Sequence, residues 1–283
     1  MKILKDVDLY RYNTMRLHSV ASKMYIPGSR EELLSLIKEL KILGEKYYLL
    51  SGGSNIVFAE RIGKPIINLM EIDNSLSCSS DGIIRAGASV RIQKLIRFCQ
   101  RNNYGGVEYL FSVPSSVGGA IYMNAGRGKK YNLSISDYIL EVEYLDPTDL
   151  QCKIYRKQEG DFSHRHSPFQ GKNWILLSAK FKFLPQQAEV TEKLIKNRIL
   201  HSALKLSPDK PSCGSVFCKG NRFIYRIIMG MRIGGAEFSK KTPNWISNVN
   251  EASSKDIRRL VNRAILLHKI FFSKYRVEIR FFD

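Results

Sequence analysis

Two kinds of residue in this chain could do chemistry: glycine-rich turns able to hold a phosphorylated ligand, and polar groups set among apolar neighbours. Ser51, Gly52, Gly53, Ser54 and Asn55 lie between two apolar runs. A glycine turn bares backbone N–H groups that a side chain would cover, and such nests bind phosphate oxygens. No Gly-Lys-Ser/Thr follows, so this is not a Walker loop, and the spacing is not GxGxxG. A plain tight turn fits the same residues. A second segment, 113–126, is dominated by small residues and includes Pro114, Ser115, Ser116, Gly118, Gly119, Asn124 and Gly126. Backbone could approach a flat or charged ligand closely there, although a glycine-rich connection packed on a helix would look alike.

Three further positions carry distinct functional groups. Arg165 stands between His164 and His166, and a guanidinium fork matches a carboxylate. A surface loop is the alternative. Ser215 follows Gly214 and precedes an apolar pair; it could be a nucleophile or a proton donor, but no Gly-x-Ser-x-Gly elbow surrounds it. Glu278 lies in an alternating run, 276–281. In one strand Val277, Ile279 and Phe281 share a face, and Glu278, Arg280 and Phe282 share the other. The plain reading of Glu278 is a solvent-facing acid on an edge strand.

The elements that must position these groups follow from periodicity. Helical spacing covers 30–40, with Ser29 as N-cap, and recurs over 90–99, 188–204 and 256–272. Apolar runs at 47–50, 56–58 and 174–183 read as strands, and 276–281 as a closing strand. The natural boundary falls near residues 185–187. The five cysteines are scattered and odd in number, which argues against a disulfide framework, and no zinc or other metal spacing is present. No apolar run reaches the length of a membrane span, and Met1 to Asp6 lack the apolar run and cleavage site expected of a signal peptide. A cytoplasmic protein with no membrane partner is therefore expected. The net charge is +19 over 283 residues. Residues 191–283 hold 19 Lys and Arg against 7 Asp and Glu, a net of +12. Such an excess attracts polyanions: nucleic acid, anionic lipid or phosphorylated small molecules. No nucleic-acid-binding signature accompanies it, so nucleic acid is not expected.

Taken together and in order, these segments resemble the UDP-N-acetylenolpyruvoylglucosamine reductase family, in its shorter type. Gly52-Gly53-Ser54-Asn55 is similar to the family's flavin loop, with Ser51 where the family has a glycine. Residues 114–126 are similar to its Pro-Gly-Thr-Val-Gly-Gly-Ala…Met-Asn-Ala-Gly segment, with Ser115 and Ser116 in place of Gly-Thr. Residues 165–167 fall on Arg-x-Ser, 211–217 on the substrate-domain signature, and 277–279 on the terminal glutamate motif. The resemblance implies an α+β chain: an FAD-binding domain of the vanillyl-alcohol-oxidase type over 1–187, in two α/β subdomains of about 1–62 and 63–187, and a substrate-binding domain over 188–283. It implies FAD held by Ser51 to Asn55, Pro114, Ser115, Ser116, Gly118, Gly119, Asn124 and Gly126, with NADPH as reductant. The enolpyruvyl group of UDP-N-acetylglucosamine enolpyruvate would be reduced to give UDP-N-acetylmuramate, for peptidoglycan synthesis. It maps catalysis onto Arg165, Ser215 and Glu278, and substrate binding onto Lys205 and Asn244. Two competing readings keep the fold and change the role: an FAD-dependent paralogue with another acidic substrate, or a non-catalytic basic binding protein.

Overall fold

The structure, a computed structural model, describes residues 1–127, 132–206 and 210–283. Its helices among the described residues are α1 (Arg30–Ile42), α2 (Ile92–Arg101), α3 (Val117–Tyr122), α4 (Ala188–Lys205), α5 (Arg222–Ile228) and α6 (Ser254–Ile270). The chain divides into two compact units, each built from separated stretches. The first comprises Met1–Ile3, Met24–Gly52 and Ile66–Ile199; the second comprises Leu4–Lys23, Gly53–Pro65 and Leu200–Asp283.

The first unit has two layers of sheet and helix. One sheet is wholly antiparallel and runs Gln151–Arg156, Ile139–Asp146, Ile175–Lys182, Ile83–Gly87, Leu76–Cys78. Its apolar face packs with α2 and α3 around Ile84, Leu95, Ile121, Val142 and Phe181, all at most 1% exposed. In the other sheet, Ile66–Asn68 pairs in parallel with Tyr48–Leu50 and with Met24 and Tyr25. α1 covers it with Leu33, Leu36, Ile37 and Leu40, the i, i+3, i+4, i+7 stripe of an amphipathic helix. Ser29 caps α1 as the spacing predicts, accepting from the Glu32 N–H.

The same unit holds a charge cluster. Arg30 reaches Asp73 at 3.0 Å and Glu143 at 2.6 Å, and Arg85 reaches Asp73 at 2.8 Å. Burial raises the Asp73 carboxyl, but hydrogen bonds from Ser75, Arg85 and Arg30 more than reverse this and bring it to about 2. A folded value below the unfolded one stabilises the fold above about pH 4, and the contribution fades as pH falls through about 2. The melting temperature of Asp73→Asn should therefore lie below that of the parent at neutral pH, with the gap closing towards pH 2. A gap that does not change with pH would assign the loss to packing alone.

The second unit centres on an antiparallel sheet ordered Ser212–Ser215, Trp245–Asn248, Ala236–Phe238, Arg232–Ile233. α6 buries Ile257, Leu260, Val261 and Ala264 in the same cluster as Val216, Phe238 and Ile246. This helix begins two residues earlier than its periodicity predicts. Ser253 and Asp256 form a reciprocal capping box that fixes the start at Ser254. The closing segment also departs from expectation. It is two short strands, not one: Arg276–Val277 pairs with Phe217–Lys219, and Arg280–Phe282 pairs in parallel with Ile56–Phe58. Glu278 occupies the break, where the chain changes partner. No helix among the described residues is long and apolar enough to cross a membrane.

Candidate active site

The first unit holds Arg165 and the segment that supports it. Ser116 caps α3, its hydroxyl accepting from the Gly119 N–H, and meets the Ser51 hydroxyl at 2.5 Å. A methyl on Gly119 would lie 2.9 Å from the Ser115 hydroxyl, and one on Gly52 would lie 3.0 Å from the Pro114 carbonyl. Gly118 donates to the Ala88 carbonyl and would bring a methyl to 3.0 Å from the Ala88 side chain. These glycines therefore allow close backbone packing around three hydroxyls. Neither Ser51 nor Ser115 adopts a positive φ, so a serine fits each without strain.

Beyond α3 the chain props the 163–170 loop. Asn124, itself at φ +42°, donates through its amide to the Ser163 carbonyl at 2.9 Å. Ser167 and Gln170 both donate to the Tyr122 carbonyl. Arg165 sits at φ +55°, a left-handed conformation costly for a branchless cation to hold without supports. Its guanidinium donates to the Gly126 carbonyl at 3.0 Å and the Asn124 carbonyl at 3.4 Å. Gly126 is needed because a methyl there would strike the Leu133 carbonyl at 2.3 Å. Asn124 and Gly126, which the sequence assigns to cofactor binding, thus also aim the arginine. Replacing Arg165 by Lys leaves one ammonium where a planar fork spans two carbonyls. Arg165→Lys should lower turnover about a hundredfold with flavin content unchanged; equal loss of bound flavin would make its role structural.

The second unit holds Ser215 and Glu278. Gly214 stands at φ +72°, and the pairing of Ser212–Ser215 with Trp245–Asn248 slips there, an irregularity that redirects the following side chain. Asn244 clamps the next residues. Its amide donates to the Phe217 carbonyl at 2.7 Å and accepts from the Phe217 N–H at 3.0 Å, while its carbonyl accepts from the Val216 N–H. The Glu278 N–H donates to the Val216 carbonyl at 2.8 Å, and the Glu278 carbonyl accepts from the Asn55 amide at 3.0 Å. Both backbone groups of Glu278 are thereby fixed, one residue across from Ser215. Its side chain is partly buried and not a plain surface acid. Burial, with the Glu278 carboxylate adding to it, pushes the Cys213 thiol up to about 12.

The glycine loop directly precedes Asn55, whose amide holds the Glu278 carbonyl. Gly53 has φ +64° and its carbonyl accepts from the Thr14 N–H. Among the described residues the N–H groups of Gly52, Gly53 and Ser54 donate to no acceptor, as an anion-holding nest requires. Lys205 ends α4, and its side chain lies outside the described residues. Sequence reasoning passes over several supports. Gln93 donates to the carbonyls of Phe111 and Val113, both at 2.8 Å, and sets the approach to Pro114. Thr14 donates to the Ser212 carbonyl at 2.6 Å. Tyr109 buries a hydroxyl that makes no hydrogen bond, and burial raises its pKa. Gln93 and Thr14 have no local spacing signal, because their partners are far along the chain.

The family model described as FAD binding domain matches residues 21–153. The UDP-N-acetylenolpyruvoylglucosamine reductase of Pseudothermotoga lettingae is 30% identical over 283 residues, covering 95% of this chain and 93% of the relative. The chain belongs to the UDP-N-acetylenolpyruvoylglucosamine reductase family. A relative so named from Fusobacterium nucleatum is 29% identical over 285 aligned residues, covering 99% and 97%. The solved structure of the family's Thermus caldophilus reductase superposes with a TM-score of 0.77 at 24% identity, covering 100% of this chain and 98% of that one. An alkyldihydroxyacetonephosphate synthase shares the fold over 65% of this chain and 38% of its own, with a TM-score of 0.50 at 16% identity. The fold is thus α+β with an FAD domain of the vanillyl-alcohol-oxidase type, as the sequence implies.

Proposed function

We propose that this chain reduces the enolpyruvyl double bond of UDP-N-acetylglucosamine enolpyruvate to give UDP-N-acetylmuramate, using NADPH and FAD, in peptidoglycan precursor synthesis. The observation that carries the reading is the fixed pair in the second unit: Glu278, held through both its backbone groups, beside the strand that ends in Ser215. An acid and a hydroxyl so placed suit protonation of a carbon next to a carboxylate. Family membership supplies the substrate.

FAD, when bound, would supply the hydride that NADPH provides for the terminal vinyl carbon. Negative charge then builds on the enolate of the substrate carboxylate. Arg165 would offer it a fixed cation, and Glu278 would need to be protonated, or share a proton, to donate a hydrogen bond instead of repelling it. Ser215 gives its proton to the adjacent carbon and is recharged from its neighbours. Ser51, Gly52, Gly53 and Ser54 would hold the cofactor diphosphate, with Pro114, Ser115, Ser116, Gly118 and Gly119 against the flavin. Asn55 and Asn244 act from behind, on Glu278 and on the strand of Ser215. Lys205 is assigned to the substrate diphosphate. In this reading 1–187 is the FAD-binding domain and 188–283 the substrate-binding domain, and the enzyme works in the cytoplasm, where its nucleotide substrates are found.

Anaerobic NADPH oxidation by purified, FAD-supplemented protein tests this. Oxidation that requires the enolpyruvyl sugar is expected. Flavin reduction without sugar turnover would give the chain another acidic substrate, and a protein that neither retains flavin nor oxidises NADPH would not be a reductase.

A further inference from the structure

The second unit carries an apolar surface patch ringed by cations. α5 buries Ile224 and Ile228 and turns Phe223 and Ile227 outward, at 57% and 43% exposure. α6 buries its opposite face and exposes Leu266 and Ile270, and the chain leaving it exposes Phe271 and Phe272. The Phe223 and Phe271 rings meet edge to face at 5.9 Å, so the two helices present one continuous patch. Phe272 is 97% exposed. It also stands at φ +47°, a conformation a bulky aromatic rarely adopts. Its N–H bonds the Lys269 carbonyl and the Ser273 N–H bonds the His268 carbonyl, which fixes the backbone in that pose. The fold thus holds a strained phenylalanine out in solvent, where it gains no internal contact.

The charge around the patch is of one sign. Arg222, Arg226, Lys269 and Lys274 are exposed, and none forms an ion pair among the described residues. Residues 219–236 and 257–277 contain no Asp or Glu. A second copy of the chain would bring like charges together. Nucleic acid would use the cations but not Ile227, Leu266 and Ile270. Aliphatic and aromatic side chains flanked by Lys and Arg match the interface of a bilayer that carries negative headgroups.

We propose that this patch docks the chain on an anionic bilayer surface, with Phe272 and Ile270 entering the headgroup layer and Arg222, Arg226, Lys269 and Lys274 meeting lipid phosphates. The expectation of no membrane partner rested on the lack of a span, which has no bearing on a helix lying along a surface.

Co-sedimentation of the FAD-loaded full chain with vesicles tests it. Binding to vesicles of equal parts phosphatidylglycerol and phosphatidylcholine is expected, with little binding to phosphatidylcholine alone and weakening as salt is raised. Phe272→Ser should lower the binding constant about tenfold, and the pair Lys269→Glu with Lys274→Glu at least about twentyfold. Phe272→Ser should keep its melting temperature and flavin content, since the side chain touches nothing inside. The proposal is overturned by equal binding to neutral vesicles, by no binding to the anionic ones, or by binding that Phe272→Ser leaves unchanged. It is also overturned by a dimer in solution that Phe272→Ser dissociates, which would give the face to a second copy. A preference for duplex DNA over the vesicles at equal salt would give it to nucleic acid.

Discussion

Ser215→Ala is expected to slow reduction of the enolpyruvyl sugar by about a thousandfold while leaving reduction of bound FAD by NADPH within about twofold. The separation follows from chemistry. NADPH gives up hydride without needing a proton from the protein, whereas the sugar carbon must receive one. The substitution removes one oxygen from a partly exposed residue at a strand end, so little packing is lost. Alanine also tolerates the backbone, because the left-handed position belongs to Gly214 and not to Ser215. Rapid mixing under anaerobic conditions follows the two half-reactions separately by flavin absorbance. Equal slowing of both would remove Ser215 from proton transfer.

Gly53→Ala is the second large effect, and it acts on structure first. The added methyl would sit 2.0 Å from the Tyr12 carbonyl oxygen and 3.2 Å from the Asn13 Cα, at φ +64°. The left-handed conformation alone costs about 1 kcal/mol, and relieving the clash brings the total to about 3 kcal/mol or more. Relief can come only by moving the 12–14 turn. That turn is locked by the Asn13 amide on Leu9 and Leu17, and tied to the strand before Ser215 through Thr14. The purified variant should be colourless, with a lower urea midpoint. Full flavin content at parental stability would show that the loop has room the distances deny.

Much of this frame was legible in the sequence. The α1 stripe and its Ser29 cap follow from local rules, as do the apolar strands of the first unit. The glycine loops could be located, but their reasons could not. Gly126 is a glycine because of Leu133, and Gly53 because of Tyr12. The asparagines were the least readable. Asn55, Asn124 and Asn244 look like ligand contacts beside glycine motifs, yet each amide holds distant backbone: Glu278, Ser163 and Phe217. Alternation alone also made residues 276–281 one strand. It fails at Glu278 because the two ends pair with different strands, and pairing partners leave no mark on a period of two.

The pairing of Ile56–Phe58 with Arg280–Phe282 bears on the order of events during synthesis. The first unit's sheet and its α2 and α3 cover are drawn largely from 66–199, so they can form while the ribosome is still working. The residues just after the glycine loop cannot. Their strand partner is made more than two hundred residues later, and Thr14 likewise waits for Ser212. Nascent chains should therefore acquire a protected first unit early and take up flavin only once Arg280–Phe282 is free to pair with Ile56–Phe58, which makes cofactor loading wait on a strand more than two hundred residues away.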